Sequence, residues 1–79
     1  MYVYILESIN FPKRFYVGIT KDLKERLASH NAGKCKHSSK SGRWNYKTIL
    51  WFENDKRAVE FEKYLKSGAG RSFANRHFS

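Results

Sequence analysis

The chain has 79 residues and a formal net charge of +9, from 16 Lys and Arg against 7 Asp and Glu. This length predicts a single domain over residues 1–79, with a small core, because such a domain buries only about 60% of its unfolded surface. The charge favours a polyanionic partner, nucleic acid ahead of an anionic membrane surface. No apolar stretch approaches the roughly 20 residues of a membrane span, so no membrane partner is expected.

Cysteine usage points to a reducing compartment. Cys35 is the only cysteine, so an internal disulfide is excluded, and we expect a cytoplasmic protein. His37 lies near Cys35, but two potential ligands do not make a zinc site, and a solvated thiol in a loop is the favoured interpretation.

The first two elements are predicted to be strands. Residues 2–7 and 15–20 are rich in aromatic and β-branched side chains, and Pro12 suits the turn between them. An antiparallel hairpin follows from this pattern. Its alternation places Tyr4 and Leu6 on one face of the first strand, and Tyr16 and Gly18 on one face of the second.

The remaining elements are two longer helices, a strand and a short helix. Asp22, three residues before Glu25, resembles a capping box, and Gly33 suits a helix end, so a helix is predicted over residues 22–32. Residues 33–47 form a predicted loop without acidic residues. A third strand is expected over 46–53, a helix over 56–67 ended by Gly68, and a last short helix over 71–77.

The first helix carries polar residues on the face that should pack inward. Leu23, Arg26, Leu27 and His30 follow the i, i+3, i+4, i+7 spacing of one helical stripe. Charged groups rarely go inside a protein unless they are paired or bind a ligand. This stripe therefore marks Arg26 and His30 as candidate functional residues.

The second helix repeats the pattern with a carboxylate. Its stripe consists of Ala58, Phe61, Glu62 and Leu65, while Glu60 falls on the solvent side. Two interpretations stay open: a functional cleft that uses Glu62, and a structural salt bridge between Glu62 and Arg26. Stability alone explains such a pair poorly, because a buried ion pair is often no more stable than apolar residues.

The strand tyrosines, the strand glycine and the basic loop are less specific signals. A tyrosine in a strand usually packs with its hydroxyl at the surface, and a strand glycine marks either a bulge or a close approach by a backbone or ligand. The loop is either a solvated surface or a surface that follows phosphates, with Trp44 or Tyr46 as stacking platforms. The candidate nucleic-acid-binding residues are Gly18, Lys34, Lys36, Lys40, Arg43 and Lys47.

Three segments together resemble one known family. The first segment is Tyr2-Val3-Tyr4, and the second runs from Tyr16-Val17-Gly18 through Arg26 to His30. The third is the predicted helix that holds Ala58, Glu62 and Lys66 at intervals of four residues. This set resembles the GIY-YIG nuclease superfamily, with Tyr2 and Val3 in place of the usual glycine and isoleucine. The likeness is greatest to small stand-alone bacterial members related to the incision domain of the excision-repair nuclease.

The resemblance implies an α/β fold, with a small three-stranded, mainly antiparallel sheet flanked by helices. It implies a metal-dependent endonuclease that hydrolyses phosphodiester bonds and uses Mg²⁺ or Mn²⁺ with Glu62 as protein ligand. Arg26 would hold the scissile phosphate, Tyr4 would orient or deprotonate water, Tyr16 would position water or phosphate, and His30 would support proton transfer. All five residues would converge on one cleft.

The expected partner is nucleic acid, with DNA favoured over RNA. Cutting is expected to be structure-selective or of low sequence specificity, or to take its specificity from a protein partner. The alternative is a non-catalytic nucleic-acid-binding module that keeps the nuclease fold. Some family members add an asparagine in the last segment, and whether Asn75 is its counterpart stays open.

Overall fold

The computed structural model describes residues 1–11, 13–33 and 42–78, and these contain three strands and three helices. In chain order the elements are β1 (Tyr2–Ser8), β2 (Phe15–Thr20), α1 (Leu23–Asn31), β3 (Trp44–Trp51), α2 (Asp55–Lys66) and α3 (Gly68–His77). The sheet has the strand order β2-β1-β3, and β1 pairs antiparallel with both neighbours. The predicted fold class is confirmed.

The hairpin between β1 and β2 is antiparallel, as predicted. Tyr4 pairs with Gly18 and Leu6 pairs with Tyr16, in a ladder that runs without interruption from one end of β2 to the other. The turn is closed by a hydrogen bond from the Ser8 amide to the Arg14 carbonyl at 3.0 Å. Tyr4 and Tyr16 therefore lie on the same face of the sheet.

Each face of the sheet has its own hydrophobic cluster, because side chains alternate along the strands. The α1 face holds buried Tyr4, Leu6 and Trp44, against which Leu23 and Leu27 of α1 pack. The opposite face holds buried Val3, Ile5, Ala58 and Leu65, so α2 packs there, joined by Phe73 and Ala74 of α3. The predicted inward stripes of α1 and α2 are confirmed.

A bulge in β3 lets one strand serve both clusters. Ile5 pairs with Thr48 whereas Leu6 pairs with Tyr46, so Lys47 is the extra residue. Trp44 and Tyr46 consequently pack on the α1 face, while Leu50 packs on the face covered by α2. Uninterrupted alternation would have placed all three on one face.

The third strand, β3, begins two residues earlier than predicted. Trp44 already belongs to β3, so Lys47 lies in a strand and not in a loop, and its ammonium is 3.7 Å from the Glu7 carboxylate. The side chain of Asn31 stabilises this start, since Oδ1 accepts from the Trp44 amide at 2.7 Å and Nδ2 donates to the Trp44 carbonyl at 3.2 Å. Arg43 is exposed immediately before the strand.

Several predicted residues lie outside the described ranges. They are Pro12, Lys34, Cys35, Lys36, His37 and Lys40. Their predicted roles in a turn, a solvated thiol or a phosphate-binding loop stay predictions. None of the helices in the described ranges combines the length and apolar character that crossing a bilayer requires.

The junction of α2 and α3 corrects another boundary. Gly68 was expected to end the second helix, but Ser67 separates the two helices and Gly68 begins α3, which starts three residues before the predicted 71. The Ser67 hydroxyl accepts from the Gly70 amide at 3.1 Å, which caps α3. A Cβ at Gly70 would lie 2.6 Å from the Cα of Leu65, so only glycine allows the two helices to meet this closely.

Candidate functional site

A buried pair of polar side chains lies between the sheet and α1. The Tyr4 hydroxyl is 3.0 Å from Nε2 of His30, within hydrogen-bonding distance. Tyr4 is 2% exposed and His30 is 0% exposed, although both carry polar groups. Two of the predicted site residues, from β1 and from α1, are thus in direct contact.

The surroundings of His30 favour its neutral form. Burial, and secondarily the positive charge of Arg26, hold the pKa of His30 below its usual value of 6.5. The imidazole is therefore uncharged near pH 7, and a neutral imidazole can accept a proton at one nitrogen and donate one from the other. The Tyr4 and His30 pair has the composition of a proton relay.

Tyr16 joins this pair as a third ring. Its centroid lies 4.7 Å from the His30 ring in an edge arrangement and 6.4 Å from the Tyr4 ring in a stacked one. Such spacings are typical of favourable aromatic contacts. Three predicted site residues, taken from β1, β2 and α1, therefore form one cluster.

Gly18 makes room for the Tyr4 phenol. A Cβ at this position would lie 2.6 Å from Cζ of Tyr4 and 3.1 Å from Cε1 of Tyr16. The glycine was expected to mark a bulge or a close approach by a backbone or ligand, and the group that approaches is the Tyr4 side chain. Gly18 is itself buried, and its direct contact with nucleic acid stays a prediction.

Arg26 lies one turn before His30 on α1 and carries an unsatisfied donor. Its Nε is buried and has no hydrogen-bond partner within residues 1–11, 13–33 and 42–78. The Arg26 charge also acts on Tyr46, where it opposes the burial that raises the pKa of that phenol. A buried donor without a partner is costly, so this position suits an acceptor brought by a ligand.

Glu62 lies in the other helical layer, on α2, which packs against the opposite face of the sheet from the buried tyrosine and histidine pair. The contacts of the described residues therefore do not bring it together with the other four predicted catalytic residues on one cleft, although this was expected. Its side chain is 14% exposed on α2, which contacts β2 and β1, and its carboxylate is 2.6 Å from the Lys66 ammonium. The structural alternative of a salt bridge to Arg26 is wrong for the described residues, since Lys66 is the partner. Glu60 is exposed, as predicted.

The donor set at Glu62 fits only one kind of metal site. Residues 1–11, 13–33 and 42–78 contain no group of three or more His, Cys, Asp or Glu that could hold an ion. One carboxylate is nevertheless sufficient for Mg²⁺, which keeps several waters and is completed by substrate phosphates. Glu62 therefore fits an ion that arrives largely with its substrate.

Sequence reasoning missed a second concave surface, on the face of the sheet covered by α3. This cleft has a volume of about 650 Å³. Its lining brings together four cations from separate segments of the chain: Lys13, Lys47, Lys66 and Arg71. Tyr16 and Asn75 also line it. The signal that could have found it is the Lys66-Ser-Gly-Ala-Gly-Arg71 segment, whose two cations flank the helix junction.

The stacking surfaces differ from the expectation. Trp44 is 3% exposed and belongs to the core, so its prediction as a platform for bases is wrong. Tyr46 is half-buried, and its hydroxyl donates to the Leu23 carbonyl at 2.5 Å. The exposed tryptophan is Trp51, at 63%, which contacts Tyr2 with ring centroids 4.9 Å apart.

Comparisons with known proteins agree with this architecture. A UPF0213 protein of Streptococcus pyogenes serotype M3 is 58% identical over 33 residues, which are 42% of this chain and 34% of that protein. A UPF0213 protein of serotype M1 matches to the same extent, so the chain spans about a third of the length of these relatives. No solved structure matches significantly. The GIY-YIG catalytic domain matches residues 1–75, and the chain therefore belongs to this family of the nuclease superfamily, whose members generally depend on divalent metal ions.

Proposed function

We propose that this protein is a metal-dependent endonuclease that hydrolyses phosphodiester bonds of nucleic acid, with DNA favoured over RNA. Its cutting would be structure-selective or of low sequence specificity. The observation that carries the proposal is the buried hydrogen bond between Tyr4 and His30, together with the Arg26 Nε, for which the described part of the chain supplies no hydrogen-bond partner. A purely structural cluster would not leave an unmatched buried donor at the same place.

Arg26 is the proposed phosphate-binding residue. A phosphate oxygen would accept from Nε and satisfy the donor that lacks a partner. The guanidinium charge would also stabilise the negative charge that develops on the phosphate in the transition state. Its fork of donors suits two phosphate oxygens at once, which a lysine could not match.

Tyr4 and His30 are the proposed proton-handling residues. Their hydrogen bond lets one proton lie on the phenol or on the imidazole, so His30 can hold the proton when the Tyr4 oxygen turns towards water. A phenol near its reference pKa of about 10 is a weak base at neutral pH, and this partner makes the role feasible. Tyr16, in contact with both rings, would position the water or the phosphate.

Glu62 is the proposed metal ligand, with Mg²⁺ or Mn²⁺ as the ion. When bound, the ion would supply Lewis-acid stabilisation of the leaving oxygen. The carboxylate of Glu62 would exchange the Lys66 ammonium for the ion, which frees Lys66 to contact a phosphate. Waters and phosphate oxygens would fill the remaining coordination positions.

The second candidate function is a nucleic-acid-binding module that keeps the nuclease fold without catalysis. Any cutting of the bound nucleic acid would then be done by a protein partner. The observation that favours it is the short ion pair between Glu62 and Lys66, because a carboxylate neutralised in this way needs no metal. Cleavage of the nucleic acid distinguishes the two functions, because only the first hydrolyses phosphodiester bonds.

The deciding experiment incubates the pure protein with branched, single-stranded and duplex DNA and RNA, in Mg²⁺, Mn²⁺ or EDTA. We expect cleavage in either metal and none in EDTA. An Arg26→Gln variant, purified in parallel, controls for contaminating nucleases and should not cut. Binding of these substrates without cleavage in any metal would reject the nuclease and favour the binding module.

A further inference from the structure

The cleft on the α3 side combines two kinds of surface. Its rim carries the four cations named above, and its interior is apolar, made of Ile5, Val17, Leu65, Ala74 and Phe78. The volume of about 650 Å³ lies within the range of roughly 300–1,000 Å³ that is common for ligand pockets. An occupant must therefore offer an apolar, flat or compact part together with negative charge.

The charges of the rim are incompletely matched. Lys47 pairs with Glu7 and Lys66 pairs with Glu62. Lys13 and Arg71 are exposed and form no ion pair within the described part of the chain. Two exposed cations in the lining of one apolar depression suit phosphates of one nucleic-acid strand, with a nucleoside between them.

The concave shape distinguishes between forms of nucleic acid. The phosphates of a duplex could touch the rim, but the paired bases stay stacked inside the helix and cannot enter a cleft. An unpaired nucleotide can place its base against apolar and aromatic side chains, and such contacts accept any base because every base has a π-face. The apolar interior would stay unused by a duplex.

We infer that this cleft binds one unpaired nucleotide of a nucleic-acid strand, with its base against the apolar interior and its flanking phosphates on Lys13 and Arg71. The inference rests on the proposed action on nucleic acid and adds the form of strand that is bound. Tyr16 lines the cleft and also contacts Tyr4 and His30, so the bound nucleotide would adjoin the proposed reacting phosphate. The preferred substrate would then carry an unpaired nucleotide beside the cut.

The first test measures binding by fluorescence anisotropy in EDTA, with a labelled duplex that contains a short single-stranded gap. Each gap nucleotide is replaced in turn by an abasic residue, which keeps the phosphates and removes the base. We expect one position at which the change weakens binding by at least about tenfold, as for the loss of one stacked base. Equal affinity at all positions would overturn the inference.

The second test compares two charge-matched double variants. Lys13→Asn with Arg71→Gln removes the rim cations, and asparagine tolerates the left-handed conformation of residue 13, whose φ is 77°. Lys56→Gln with Lys63→Gln removes the same charge from exposed positions of α2 outside the cleft. Only the first pair should lose the sensitivity to the abasic position, and its slope of log K against log salt should flatten by about 1.4.

Two outcomes of the comparison contradict the inference: equal loss of abasic sensitivity in both pairs, or its retention in the rim pair. If the rim pair does not fold, Lys13→Asn alone serves, because residue 13 is exposed in a turn. The inference and the nuclease proposal fail separately. Position-dependent binding without cleavage in Mg²⁺ rejects only the nuclease, whereas cleavage without position-dependent binding rejects only the cleft.

Discussion

The hydroxyl of Tyr4 and Nε2 of His30 form a hydrogen bond of 3.0 Å in the interior, between residues 26 positions apart in the chain. Each group satisfies the other, because a buried donor or acceptor without a partner would destabilise the fold. The same bond links the middle strand of the sheet to the end of α1. Structure and proposed chemistry thus depend on one contact, and substitutions can separate the two.

Tyr4→Phe removes this hydroxyl and keeps the ring. We expect single-turnover cleavage to slow by more than tenfold, which corresponds to about 1.4 kcal/mol of barrier or more. The free energy of unfolding should fall by about 1–3 kcal/mol, because Nε2 of His30 loses its partner. Tyr16→Phe should also slow cleavage. Unchanged rates in both variants would return the two phenols to a structural role.

Glu62→Gln removes the proposed ligand charge at nearly constant shape. Cleavage in Mg²⁺ should be lost while the thermal melt stays close to that of the parent, because the ion pair with Lys66 is partly exposed and contributes little. Glu60→Gln is the matched control on the solvent side of the same helix and should cut normally. A variant at 62 that cuts like the parent would show that this carboxylate is not the ligand.

The lowered pKa of His30 makes stability depend on pH. Tyr4, Tyr16 and Arg26 face the ring, and burial followed by the Arg26 charge lowers its pKa below 6.5. The unfolded chain then binds a proton near pH 6.5 that the folded chain does not, so stability is full above this pH and falls as the pH drops towards the folded pKa. Denaturant melts across pH 5–8 should show this loss.

His30→Gln should remove that part of the pH dependence, whatever its effect on stability at neutral pH. His77→Gln is the control, because His77 is exposed and its variant should keep the full dependence. An identical pH profile for the parent and the His30 variant would mean that His30 does not change its protonation on unfolding.

The two tryptophans should differ sharply in their contribution to stability. Trp44→Ala would leave a cavity in the cluster of Tyr4 and Leu6 and should cost about 3–5 kcal/mol. Trp51→Ala removes a side chain that is 63% exposed and should cost far less. Chemical denaturation of both variants measures the difference, and similar losses would contradict the burial that separates them.

The hairpin and the inward stripes of the helices were predictable because each follows a local period. Alternation along β1 and β2 gives the shared face of Tyr16 and Gly18 and the matching face of Tyr4, and the helical spacing gives the inward position of His30. The reason for Gly18 was not predictable, since the phenol that needs its space comes from another strand.

The start of β3 and the second cleft could not be read from local patterns. The segment before Trp44 is rich in cations, which is typical of a loop. The bulge at Lys47 also breaks the alternation that would have indicated a strand. Lys13 and Arg71 are 58 positions apart in the sequence and meet only through the packing of α3 on the sheet. Their association depends on tertiary structure, which no short segment encodes.

The bulge at Lys47 lets β3 carry one residue more than regular pairing with β1 would allow. Trp44 and Tyr46 belong to one side of the sheet and Leu50 to the other only because one residue is left unpaired between them. Deleting Lys47 would leave a regular ladder, in which Tyr46 still pairs with Leu6 and Thr48 with Ile5, so Trp44 and Leu50 would keep their opposite faces. The domain should therefore stay folded without this surface lysine, just as it should with a glutamine in its place, and a thermal melt of the deletion variant measures this.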